Sequence, residues 1–299
     1  MKFNTFAELE SYILENGIVK KIALCGAHDE PALSALVEAK RKGVADGILI
    51  GDEPQIRTLL AQLGEDPADY AILHEPDEGQ AAQKAVALAK VGEADIPMKG
   101  LMQTSSYMRA ILNKETGILP AGRILSECTA FEYPDQGRMM FVTDCAVNIA
   151  PGMSEKKEII KNAAELAKKF GIETVKVAAM SALEKVNPKI PSTVEAKELS
   201  EADWPEGVVV EGPFALDNAV DLEAAKHKGI QSAVAGKADV LAMPDLCSAN
   251  VLHKGLHFFA HLKTAGTLCG TEIPVILTSR TDSPNTKYNS ILTAILQAL

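Results

Sequence analysis

Short apolar runs alternate with amphipathic stretches along almost the whole chain, and this alternation leaves few folds open. Lys21-Ile-Ala-Leu-Cys-Gly26 predicts a strand, and Glu30 to Lys42, ending at Gly43, predicts a helix. Gly47 to Gly51 predicts the next strand and Pro54 to Leu63 the next helix. Tyr70 to Leu73 precedes an alanine-rich helix from Glu78 to Val91, and Asp95 to Met98 supplies a fourth strand. Strands separated by helices of about 10–15 residues imply βαβ units, hence a mostly parallel sheet.

The rhythm restarts after the polar, turn-rich stretch Glu132-Tyr-Pro-Asp-Gln-Gly-Arg138. Met139 to Thr143 predicts a strand and Glu155 to Phe170 a helix closed by Gly171. Val175 to Ala179, Val208 to Glu211 and Val240 to Met243 are further strand candidates. A length of 299 residues suits two domains, with the break near residue 140. No Gly/Ser linker separates the halves, so they are expected to pack together with a cleft between them. The predicted class is α/β, with two domains built on mostly parallel sheets.

Bulk properties narrow the function. The formal net charge of −10 argues against nucleic acid as a partner, because counterion displacement needs a basic face. The five cysteines are scattered with no CxxC pair, which fits reduced thiols in the cytoplasm and speaks against structural zinc. Glu8, Glu10 and Glu15 interrupt the N-terminal apolar pattern, making it an amphipathic helix where a signal peptide would need a continuous apolar run. No run of about 18 apolar residues is present to span a membrane. His253, His257 and His261 recur every four residues along one helix face. Eight residues of helix rise about 12 Å, so the three cannot share one ion, and no metal site is predicted.

Candidate chemistry gathers where strands end, the place open α/β sheets use for ligands. The run Ile273 to Leu277 predicts a strand that delivers Ser279 and Arg280, followed by Asp282 and a helical tail from Lys287 to Leu299. A hydroxyl beside a guanidinium suits a phosphate or a developing oxyanion. Four further junctions carry polar residues: Asp144 to Asn148, Glu184 to Lys189, Gly212-Pro213 to Asn218, and Pro244 to Lys254. Gly212 permits a ligand to approach the backbone closely, and Asp217 and Asn218 either serve the site or cap the following helix.

Taken in order, these segments resemble the phosphate acetyl/butyryltransferase family. The resemblance rests on Met98-Lys-Gly100 with Thr104, Asp144 with Asn148-Ile-Ala-Pro151, Asn162, Lys176-Val-Ala178, Glu184-Lys-Val-Asn187 and Thr193. It continues through Gly212-Pro213 with Asp217, Lys228-Gly-Ile230, Ala235-Gly236, Ala238-Asp239, Pro244 with Asn250 and Lys254, and Thr278-Ser-Arg280. Thr278 to Ser283 and the short single-unit chain resemble the butyryl branch more than the acetyl branch.

The resemblance implies an isocitrate/isopropylmalate dehydrogenase-like architecture with the active site in an interdomain cleft. Its domains would be residues 1–140 plus about 275–299, and residues 141–274. It implies a cytoplasmic homodimer that needs no permanently bound cofactor. Coenzyme A and phosphate are then substrates: acyl-CoA plus phosphate gives acyl phosphate plus coenzyme A, without a covalent enzyme intermediate. Arg280 would hold the phosphate and the developing charge, and Ser279 would donate a hydrogen bond to the coenzyme A sulfur. Thr104, Asp144, Asn148, Asn187, Lys189, Gly212, Pro213, Asp217, Asn250 and Lys254 would line the coenzyme A and phosphate site. One departure stands out. The family's aspartate base, seven residues after the serine, is Thr286 here, followed by Lys287. Asp282 either substitutes as base or caps a neighbouring element. The departure keeps open a silent acyl-CoA or acyl-phosphate binding homologue. An NAD-dependent decarboxylating dehydrogenase ranks lower, because Asp144, Asp217 and Asp239 are not spaced as a metal cluster.

Overall fold

The computed structural model describes residues 1–299 and separates into two compact units. One comprises Phe6–Arg123 with Ala265–Leu299; the other comprises Met1–Thr5 with Ile124–Thr264.

The first unit opens with α1 (Phe6–Glu15), β1 (Lys20–Cys25), α2 (Glu30–Lys42), β2 (Ala45–Gly51) and α3 (Glu53–Gln62). It continues with β3 (Ala71–His74), α4 (Glu78–Lys90), β4 (Ile96–Lys99) and α5 (Thr104–Ile111). The strands form one parallel sheet in the order β3-β2-β1-β4. Helix α2 shows how local sequence sets an element's limits. Pro31 sits in its first turn, basic residues fill its last turn, and Gly43 closes it in the left-handed conformation at φ +78°.

The second unit contains β5 (Ser126–Tyr133), β6 (Arg138–Thr143), α6 (Met153–Lys169), β7 (Val175–Met180) and α7 (Pro191–Ser200). Then come β8 (Val208–Phe214), α8 (Leu216–Val220), α9 (Leu222–His227), β9 (Val240–Ala242) and α10 (Leu246–Phe258). Its strands run in the order β5-β6-β9-β7-β8, parallel except for the antiparallel β5–β6 hairpin. Phe131, Met140, Val142, Phe214 and Leu241 anchor one side of its core. The break read near residue 140 falls inside β6. Six register pairs join β5 to β6, so both strands belong to one unit and the division comes at Ile124.

The chain re-enters the first unit along β10 (Thr264–Cys269) and ends in α11 (Pro284–Gln297), which packs on α2 and α1. The strand read over Ile273–Leu277 reduces to two bridges, Leu268 with Val275 and Met98 with Ile276. Extended backbone still runs beside β4, with Ile276 N donating to Pro97 O at 3.0 Å and Lys99 N to Ile276 O at 3.1 Å. His261 lies beyond the end of α10 at φ 51°, so the three histidines do not share one helix face.

Candidate functional site

Parallel strands end on a common edge. In the first unit that edge carries Gly26 to Asp29 after β1, Lys99 to Leu101 after β4, and Thr278 to Asp282 after the Val275–Ile276 segment. Asp282 is buried, and its Oδ2 accepts from Ser279 N at 2.7 Å. Ser279 Oγ lies 3.1 Å from Thr281 Oγ1. The turn thus holds Ser279 half-buried, while Arg280 is exposed and makes no ion pair. Ser283 caps α11 by accepting from Thr286 N, and its Oγ stands 3.1 Å from Thr286 Oγ1. The position expected to carry the base therefore carries a buried hydroxyl engaged with its own helix cap. Thr104, at the start of α5, is exposed.

Two lysines lie beneath this turn. The ammonium of Lys287, fully buried on α11, donates to Ser279 O at 2.8 Å and Thr278 Oγ1 at 3.1 Å. Asp29 Oδ2 stands 3.9 Å away. Lys99, buried at the end of β4, donates to Gly100 O at 3.3 Å. Burial lowers the pKa of both, and for Lys99 the positive charges of Lys287 and Arg280 lower it further. Burial pushes the neighbouring Cys25 thiol up to about 12, so it is a poor nucleophile. Sequence reading missed both lysines as a pair. In the sequence Lys287 marks the start of the predicted helical tail and follows the base position, and Lys99 belongs to the Met98–Gly100 run.

In the second unit most of the predicted residues organise loops. Asp144, buried at the end of β6, accepts from the amides of Ala146 and Val147 at 3.0 Å each and of Asn148 at 3.1 Å. Asn148 Nδ2 donates to Asp144 Oδ2 and to Leu125 O, and Asn250 Nδ2 donates to Cys145 O. Asn187 Oδ1 accepts from the exposed Lys189's amide at 3.0 Å, and Asn187 N donates to Thr193 Oγ1. Gly212 and Pro213 lie within β8, joined by a cis peptide. A Cβ at Gly212 would sit 2.6 Å from Ala179 O, so the backbone approaching this glycine closely is that of β7. Asp217 pairs with Lys228 at 2.9 Å, and that hydrogen bond lowers its pKa. Asn218 is buried in α8, and neither residue is an N-cap. Lys254 lies over the Phe258 ring at 5.9 Å. An open hollow of about 490 Å³ lies where β7 and β9 end, lined in part by Met180, Ser181, Ser192, Met243 and Ser248.

One buried acid escaped sequence reading because it sits inside a strand that was itself missed. Glu127 of β5 accepts from Thr129 Oγ1 at 2.8 Å, and Thr129 Oγ1 lies 3.1 Å from His253 Nδ1. A hydroxyl has one proton, so when it donates to Glu127 the histidine donates to it. Complete burial, aided by the charge of Asp144, pushes Glu127 up to about 8. No group of three His, Cys, Asp or Glu side chains is arranged to hold a metal ion.

A parallel strand edge that presents serine, arginine and buried lysines has the chemistry to hold an anion. The family described as "Phosphate acetyl/butaryl transferase" matches residues 56–295. A phosphate butyryltransferase of Clostridium acetobutylicum is 44% identical over 283 residues, covering 94% of each chain. A phosphate acetyltransferase of Thermotoga maritima is 40% identical over 281 residues, covering 93% of this chain and 95% of its own. The crystal structure of a branched-chain phosphotransacylase from Enterococcus faecalis V583 superposes with a TM-score of 0.83 at 34% identity, covering 93% of this chain and 99% of its own. The chain belongs to the phosphate acetyl/butyryltransferase family.

Proposed function

We propose that this protein exchanges coenzyme A and inorganic phosphate on a short-chain acyl group, butyryl in preference to acetyl. Similarity to the clostridial phosphate butyryltransferase supports that choice of chain. The observation that carries the reading is Arg280, an exposed guanidinium without an ion pair, beside Ser279 on a turn braced by Asp282 and Lys287. In the acyl-phosphate-forming direction, a phosphate oxygen attacks the thioester carbonyl. The carbon–oxygen bond forms, the carbon–sulfur bond breaks, and coenzyme A leaves as a thiolate that takes up a proton. Arg280 binds the phosphate and stabilises charge on the carbonyl oxygen, and Ser279 donates to the sulfur. Asp282 shapes the turn through the Ser279 amide. The same reading carries an isocitrate/isopropylmalate dehydrogenase-like architecture, a homodimer and a cytoplasmic location. It also places Asp144, Asn148, Asn187 and Asn250 as residues that fix loops around the substrates.

The test is release of free thiol from butyryl-CoA, with acetyl-CoA in parallel, in the presence and absence of phosphate. Release that requires phosphate, faster with butyryl-CoA, is the expected result. Arg280→Ala should lower kcat/KM by about 10²–10³-fold while changing coenzyme A affinity far less. A second reading, a silent acyl-CoA sensor, is favoured by Thr286 at the base position. Tight acyl-CoA binding with no phosphate-dependent release would establish it.

A further inference from the structure

Lys99 and Lys287 are both buried cations, yet their surroundings differ. Lys287 has two oxygen acceptors and Asp29 nearby, so its charge and donors are met within the fold. Lys99 has one acceptor, the Gly100 carbonyl at 3.3 Å, and no carboxylate at ion-pair distance. An ammonium carries three donors, and burying it with donors unmet is strongly unfavourable. Its neighbours add to the imbalance. Lys287 and Arg280 repel it, and Asp29 is the carboxylate whose attraction it feels. Asp282 is engaged by the Ser279 amide. Three cations thus share this edge with two carboxylates, an arrangement that calls for an anion.

We infer that Lys99 is a phosphoryl-binding residue, seating with Arg280 the tetrahedral dianion that is inorganic phosphate in one direction and the phosphoryl end of an acyl phosphate in the other. The inference rests on the phosphate acyltransferase reading and adds a residue to it. Lys287 is then a positioning residue, tying the Ser279 carbonyl and the Thr278 hydroxyl in place so that Arg280 faces the same anion. Lys99 also lies on the strand end that Gly100 and Gly26 bring against β1.

The test compares wild type with Lys99→Gln and Lys99→Met, the second because an apolar chain of similar length is tolerated where a buried charge is removed. Phosphate is varied at saturating butyryl-CoA, and butyryl-CoA at saturating phosphate. A variant that keeps the wild-type circular dichroism should show a phosphate KM raised about tenfold or more, with the butyryl-CoA KM within about twofold. In the reverse direction the acyl phosphate KM should rise alike while that for coenzyme A stays put. An unchanged phosphate KM in a folded variant overturns the inference. So does a rise confined to coenzyme A, which would assign the lysine to the nucleotide phosphates. If the wild type shows no phosphate-dependent thiol release, the functional reading fails, and calorimetric titration with inorganic phosphate decides the site alone. Binding by wild type that Lys99→Gln loses upholds the site, and equal heats, or no binding by either, overturn it.

Discussion

At the scale of single residues, Glu127 carries the clearest consequence. Its Oε2 has no hydrogen-bond partner, and burial holds its pKa near 8 against an ordinary 4.5. Between those values the folded protein retains a proton that the unfolded chain has released. Its contribution to stability is therefore full below about pH 4.5, declines as pH rises, and is spent above about pH 8. The slope is about 1.4 kcal/mol per pH unit where the two states differ by a whole proton. Glu127→Gln keeps the shape and removes the titration. Urea unfolding at pH 6 and pH 8 should show the variant gaining on wild type by roughly 2–3 kcal/mol between the two. Parallel pH profiles would mean that the carboxyl is already ionised in the folded state. The sequence concealed this group for a physical reason. Glu127 and Glu132 break the apolar pattern of Ser126–Tyr133, and burial of almost the whole strand erases the alternation that marks a half-buried one. Lys99 was hidden differently, because its neighbours Arg280 and Lys287 come from the far end of the chain.

At the scale of elements, the strand ends of β1 and β4 must lie close for the edge to exist. Gly100 N donates to Cys25 O at 2.7 Å, and Leu101 N to Gly26 O at 2.9 Å. A Cβ at Gly100 would sit 2.3 Å from Gly26 O, against backbone that cannot swing aside, and Gly26 itself holds φ +66°. Gly100→Ala should destabilise the protein by at least about 2 kcal/mol and displace Lys99, raising the phosphate KM together with it. A wild-type urea midpoint in that variant would show that the β1–β4 junction yields. Some regular elements, α2 and α4 among them, were legible to within a few residues because their signals are local, whereas β5 was missed. Gly43 ended α2, and an alanine-rich stretch made α4. The absence of a side chain at Gly212 suits a ligand or a neighbouring strand alike, and the β7–β8 pairing that brings Ala179 against it depends on residues distant in the chain. The place of Asp144 and Asn148 after a strand is legible in the sequence, but which amides Asp144 holds depends on how the loop folds back.

At the scale of the whole molecule, the first unit is discontinuous: the chain leaves it after Arg123 and returns at Ala265. Its last helix is no appendage, since ten of the fourteen residues of α11 are buried and the helix covers α2 and α1. Removing residues 284–299 would take away Ile291, Leu292, Ile295 and Lys287 and expose the faces that the three apolar side chains cover. Fully burying side chains of this size stabilises by about 1.5–3 kcal/mol each, so losing three removes much of the roughly 5–15 kcal/mol that keeps such a unit folded. The second unit builds its strands and core from residues 124–264 and contains none of the deleted segment. Hydrogen exchange followed by mass spectrometry should therefore show protection lost from peptides covering β1, β2 and β4 and retained in those covering β6, β7 and β9. Loss across both sets would mean that the units fold as one cooperative body, and retention in both that α11 is dispensable. Under the expected result, Lys99 and Arg280 lose their fixed positions in the same step that removes Lys287. The phosphate seat then exists only once α11 has docked, and its binding of inorganic phosphate reports completion of that unit.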